Sequence, residues 1–294
     1  MQPGLRRLAP GARRLHANAR DSRHLQEKLQ ALNTPALGAL QCAPGFDPRP
    51  GLQALAALAA AEEAAAFAWD GRRAQARALG WAVCDGALER GVDALPEVGT
   101  CLAALPREWR LAALLSLAFA EDFAQIEARD ARIPWLAVAL PSRWAPADKV
   151  GLHFAQVHAP VADNAMLLAA GDALARLVAA PTPWERFVWT ITPRTTLNAH
   201  PALPSRWPDD AGAIVAQACW RTERQGFIPV PEAGRAVFTI LVDCQPLTQA
   251  IDSADKARRL HDALASMSEA VLRYRHLPDV RETLLRWLAA RAVS

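Results

Sequence analysis

Residues 220–247, WRTERQGFIPVPEAGRAVFTILVDCQPL, decide the fold. The stretch reads as two strands and a turn. The first strand covers about 214–227 and ends in charged and amide side chains; the second, 235–244, is apolar and β-branched almost throughout. Between them Pro229, Pro231 and Gly234 supply the turn chemistry. Side chains on a strand alternate with period two. Arg221, Glu223 and Gln225 therefore share one face, and Trp220, Thr222 and Arg224 the other. Burying such a row of charges without partners costs several kcal/mol. The charged face is either solvated or turned toward a polar ligand.

The chain around this hairpin has 294 residues, 52% of them hydrophobic and 21% charged. That suits a globular protein with a sizeable core. No apolar run reaches the roughly 20 residues of a membrane span, so no membrane partner is expected. A net charge of +3, with no basic stripe interleaved with aromatics, argues against a nucleic-acid partner. Only Lys28, Lys149 and Lys256 are lysines among the 33 basic residues. Biased genome composition alone can produce that skew. Cys42, Cys84, Cys101, Cys219 and Cys244 are scattered and form no CxxC pair, which argues against a thiolate zinc or iron–sulfur site. Reduced thiols and the lack of an apolar leader give a cytoplasmic expectation.

In chain order, residues 1–43 are basic and sparse in apolar side chains, which predicts a flexible N-terminal segment. A single α+β domain is expected over 44–294. The turn cluster GFDPRPG opens it at Gly45, and the alanine-rich run 52–69 favours helix. Residues 74–90 and 108–128 read as two more helices, so the N-terminal third is expected to be helical. Glu121 and Asp122 then lie either on a solvated helix face or at the edge of a site. IPWLAVAL, from Ile133, is a short buried-type strand. Residues 164–180 read as a helix capped by Asp163 or Asn164, 186–192 as an alternating strand, and 193–212 as a proline-rich loop with His200 and Trp207. Helices over 255–274 and 278–292 close the chain. Helices first, a mainly antiparallel sheet over 133–244, and helices last make the class α+β.

His153 and His158 are five residues apart, a poor match to one helix face and opposite faces of a strand, so they are not expected to share one metal. His200 sits in a loop, while His261 and His276 look like surface or packing residues. HExxH, GxSxG, GxxxxGK[ST] and GxGxxG after a strand are all missing, which leaves zinc-hydrolase, serine-hydrolase and nucleotide-dependent chemistry unsupported. Six of the ten tryptophans (Trp135, Trp144, Trp184, Trp189, Trp207, Trp220) fall in the sheet region. They either pack the core or line a concavity for a flat apolar cofactor.

Four ordered segments together resemble the haem-dependent oxidative N-demethylase family: AEDF at 120–123, PSRWAPADKVGLHFAQVHAPV at 141–161, WRTERQGFIPVPEAGRAVFTI at 220–240 and YRHLPD at 274–279. The resemblance covers a core of about 110–280. It implies a PAS-like sheet that binds haem b and removes a methyl group oxidatively from a small alkylamine or related N-methyl compound, releasing formaldehyde. It also implies that dioxygen is consumed and that electrons arrive from NADPH through the flavin and iron–sulfur cluster of a separate reductase. Carried onto this sequence, His158 becomes the axial haem-iron ligand, and Arg221 or Arg224 suits the haem propionates. Trp144 and Gln225 fall within the matched motifs as cofactor contacts, and Glu223 would hold a protonated amine. The chain departs from the family at Ala162, where a second proline is usual, and at Gly226, where a larger residue is usual. The alternatives are a non-catalytic haem- or small-ligand-binding module on the same fold, or a structural interaction protein.

Overall fold

The computed structural model describes residues 4–162 and 165–293. The first part of the chain forms β1 (Arg6–Arg7), α1 (Arg23–Leu32), β2 (Leu40–Cys42) and α2 (Arg49–Glu62). Four short strands follow, β3 (Phe67–Trp69), β4 (Arg73–Ala76), β5 (Trp81–Cys84) and β6 (Ala87–Arg90). Next come α3 (Pro96–Ala104), α4 (Arg110–Ala118), β7 (Asp122–Glu127) and β8 (Trp135–Ala137). The middle holds α5 (Phe154–His158), α6 (Ala165–Ala169), α7 (Gly171–Ala179), β9 (Trp184–Thr192) and α8 (Ala211–Gln217). The hairpin is β10 (Cys219–Val230) and β11 (Arg235–Pro246), and α9 (Leu247–Ala250), α10 (Ala254–Ala265), α11 (Glu269–Arg275) and α12 (Arg281–Ala292) close the chain.

The main sheet has seven strands in the order β1-β9-β10-β11-β7-β8-β2. Every pairing within it is antiparallel, so the class is α+β. The hairpin runs in unbroken register from Val230↔Arg235 to Cys219↔Pro246. Its turn is a short 3-10 segment at Pro231–Ala233, closed by Gly234 at φ 61°, where a side chain would be strained.

Adjacent residues of β10 point to opposite faces, and both faces are covered. Ile228, Val230 and Val237 pack with Leu52, Leu55, Ala56 and Ala59 of α2 in one buried cluster. Phe227 and Ala236 pack with Ala124, Ile126 and, from α7, Ala175, Val178 and Ala179 in another. A third cluster joins the closing helices through Leu260, Leu264, Leu272, Leu284 and Leu288 to Ile191 of β9. Among the described residues, no helix is long and apolar enough to cross a membrane.

Several local expectations change. The first hairpin strand does not begin at Ile214: that residue lies in α8, which starts where the Asp210 carboxylate accepts the Ala213 N–H at 2.8 Å. The 52–69 helix stops at Glu62. The expected helix over 74–90 is instead part of a four-stranded antiparallel meander, β3-β4-β5-β6. Its turns explain it. Asp85 and Gly86, at φ 48° and 78°, form a two-residue hairpin turn, and Asp70 Oδ1 accepts the N–H groups of Arg72 and Arg73. The 108–128 helix ends at Ala118, and residues from Asp122 pair with β11 as β7. The cap expected at Asp163 or Asn164 lies outside the described residues.

The described part of residues 1–43 is not a loose tail. Leu15, Leu25 and Leu29 are in the core. Lys28 is fully buried; its Nζ lies 3.1 Å from Asp122, also fully buried, and donates to the carbonyls of Phe119 and Glu121. Burial pushes the Lys28 ammonium below the usual lysine range, and Asp122 opposes that shift. Glu121 accepts the His16 N–H at 3.0 Å and pairs with its ring at 2.7 Å. The acid pair Glu121–Asp122 therefore anchors the N-terminal segment and is not a solvated face.

Candidate functional site

Between one face of the main sheet and the segments that cover it lies a cavity of about 1720 Å³. Arg221, Glu223, Gln225 and Phe227 line it from β10, as the alternation requires. The cross-strand register sets Thr190, Val188 and Arg186 of β9 beside the first three. Phe238 and Ile240 of β11 and Ala124 of β7 continue the floor. Phe154, Val157 and His158 of α5, Trp144, and Leu174 of α7 form an apolar wall. Trp189, Trp207, His200 and Tyr274 lie toward the loop and closing helices.

His158 sits at the last turn of α5. Its Nδ1 is 2.8 Å from the Phe154 carbonyl oxygen, and a carbonyl only accepts, so Nδ1 carries the proton and Nε2 the lone pair. Burial lowers its pKa to about 4, opposed by the bond to Phe154 and reinforced by the charges of Arg186 and Lys149. The imidazole is neutral at physiological pH. A neutral ring with Nδ1–H tied to a backbone carbonyl has the electronic form of an iron ligand. Among the described residues no three His, Cys, Asp or Glu side chains converge on a metal position. A single histidine suits a metal that a macrocycle already holds.

His153 does different work. Its Nδ1 accepts the Ala155 N–H and its backbone N–H donates to Gln156, a capping box that starts α5, while Nε2 pairs with Asp172 of α7 at 2.8 Å. It fixes the helix that carries His158. His200 is buried, accepts the Ala202 N–H through Nδ1, and is pushed down in pKa by burial.

The two arginines of the ERQ stretch separate. Arg224 points away from the cavity and pairs with the buried Glu185 at 2.9 Å, so the expectation that it contacts a cofactor there is corrected: it faces the wrong side of the sheet. Arg221 is on the cavity side, but it donates to Ser142 Oγ at 2.9 Å and to the carbonyls of Thr196, Leu140 and Pro141. It straps two loops to the sheet. Next to Ser142, Arg143 holds a left-handed φ of 69° at the cavity rim, its N–H bonded to the Ala199 carbonyl. Gln225 has both ends engaged: Oε1 accepts from Arg186 Nε, and Nε2 donates to Glu223 Oε2 at 2.5 Å. Trp144 is half-buried on the cavity wall.

Sequence reasoning missed Arg186. The signal was present, because RFVWTIT alternates and places Arg186, Val188 and Thr190 on one face. What the sequence alone does not supply is the β9–β10 register that sets that face beside Gln225, Glu223 and Arg221.

A comparison with curated proteins finds none that matches the chain. The family model described as haem-dependent oxidative N-demethylase, alpha subunit-like, matches residues 103–285, more than half of the chain. That span contains the hairpin, His158 and most of the cavity lining. The chain belongs to the family of haem-dependent oxidative N-demethylase alpha subunit-like proteins.

Proposed function

We propose that this protein is the haem-bearing subunit of an oxygenase that demethylates a small N-methyl amine. The observation that carries this reading is the neutral, backbone-oriented imidazole of His158 on the wall of a large, largely apolar cavity. The residues fit the group. The cavity exceeds the roughly 300–1,000 Å³ typical of small-molecule sites, and aromatic and aliphatic side chains dominate the walls near His158. The antiparallel sheet with a cavity against one face also agrees with a PAS-like core.

His158 would hold the iron of haem b through Nε2, with the Phe154 carbonyl fixing its tautomer. Trp144, Phe227 and Phe238 would exclude water and pack against the macrocycle. Bound haem supplies the activation of dioxygen. Glu223 would hold the protonated amine by a charge-assisted bond, and Gln225 would hold that carboxylate in place. In balance, the methyl carbon leaves as formaldehyde and the nitrogen regains a hydrogen. One dioxygen, two electrons and two protons are consumed, and one water is formed. A separate NADPH-dependent reductase with a flavin and an iron–sulfur cluster would supply the electrons.

The test is formaldehyde release by haem-loaded protein given dioxygen, a chemical or enzymatic reductant and a panel of N-methyl amines. Release that falls at least about tenfold in Glu223→Gln is expected, from loss of one charge-assisted contact. Haem-loaded, reducible protein that releases no formaldehyde from any amine of the panel would contradict the reading.

A further inference from the structure

Glu223 and Arg186 form a pair of opposite charges that do not touch. They sit on neighbouring strands of the cavity floor, where Arg186 pairs with Gln225 in register and Glu223 with Val188. The Gln225 carboxamide stands between them, accepting from Arg186 Nε and donating to Glu223 Oε2. Each charge therefore keeps unused valence toward the cavity. Among the described residues no group donates a hydrogen bond to Glu223 Oε1, and Nη1 and Nη2 of Arg186 donate none. The other enclosed arginines of the lining differ: Arg194, Arg221 and Arg275 each donate terminal N–H groups to backbone carbonyls.

We propose that this pair recognises a zwitterion, so that the substrate class of the site is an N-methylated amino acid, its ammonium at Glu223 and its carboxylate at Arg186. The proposal rests on the N-demethylase reading of the same site. The ammonium and carboxylate of an α-amino acid lie a few bonds apart, which matches two charges separated by one carboxamide. The planar fork of a guanidinium suits a carboxylate, and a carboxylate suits an ammonium. A haem propionate is the rival occupant of Arg186. It would place a second carboxylate within reach of Glu223, and like charges in an enclosed site repel. A zwitterion satisfies both side chains at once.

The experiment is calorimetric titration of the haem-loaded protein with N,N-dimethylglycine, with dimethylamine as the cation alone and acetate as the anion alone. N,N-dimethylglycine should bind at least about tenfold more tightly than dimethylamine, the scale of one charge-assisted contact. In Arg186→Met the preference for N,N-dimethylglycine over dimethylamine should disappear. Equal affinity of the wild type for both ligands would overturn the proposal, and this comparison needs no variant to fold. Loss of haem in Arg186→Met with the ligand preference intact would also overturn it and assign the arginine to a propionate. Haem uptake is read separately by absorption. Protein that prefers the zwitterion without taking up haem supports this site and overturns the haem reading.

Discussion

At His158 the local chemistry makes a stability prediction independent of any cofactor. The folded protein holds the ring neutral with a pKa of about 4, whereas an unfolded chain would titrate it near 6.5. A depressed folded value means that the contribution is present above about pH 6.5 and is lost as pH falls toward 4, because only the unfolded state takes up the proton there. The gap corresponds to about 3 kcal/mol. His16 works in the opposite direction, since its bond to Glu121 raises its pKa. The informative quantity is thus the difference between haem-free wild type and His158→Gln in denaturant midpoints at pH 7 and pH 4.5. The wild type should lose about 2 kcal/mol more than the variant over that range; equal losses would contradict the assignment. At this scale the sequence was legible where one strand sufficed. Alternation placed Arg221, Glu223 and Gln225 together on the cavity face and Arg224 behind it. It could not show that Arg221 spends its donors on loop carbonyls or that Arg186 comes beside Gln225, because both depend on segments distant in sequence.

Elements were legible where local chemistry and tertiary context agree, as in the hairpin and in β9. They were misread where context wins. Residues from Asp122 leave the helix because their side chains reach Lys28 and the Leu140 N–H, and their backbone pairs with β11. Removing the ammonium in Lys28→Met would strand the Asp122 charge in the core. We expect a loss of about 3–5 kcal/mol in urea unfolding. A loss below about 1 kcal/mol would contradict the anchoring of the N-terminal segment. The meander from β3 to β6 was read as helix because of its alanines, although two Asp-Gly pairs, Asp70-Gly71 and Asp85-Gly86, mark its turns. Its attachment is specific. Trp81 Nε1 donates to the Leu95 carbonyl at 2.8 Å, and its ring lies so close to α3 that a Cβ at Gly99 would come within 2.0 Å of it. Gly99→Ala should destabilise the protein by at least about 1–3 kcal/mol, read by thermal unfolding; an unchanged midpoint would show that α3 is free to move off the ring.

For the whole molecule, the division of labour follows the cavity. The sheet supplies a charged floor through β9 and β10, α5 and α7 supply an apolar wall with His158, and the closing helices supply the rim around Tyr274 and His276. His153 couples two of these parts by capping α5 and pairing with Asp172 of α7. The N-terminal segment and α2 brace the opposite face of the sheet. The site was legible as a set of segments, since four separated motifs carried the resemblance. Its shape was not, because a cavity is made by the spaces between elements, which no single stretch encodes.

Whether His158 holds haem iron is read from the absorption spectrum of protein produced with a haem supply, beside that of His158→Ala. A Soret band is expected in the wild type and, in the variant, lost occupancy or altered ligand-sensitive bands. Folded wild-type protein without haem, or a haem spectrum indifferent to the substitution, would contradict that role of His158.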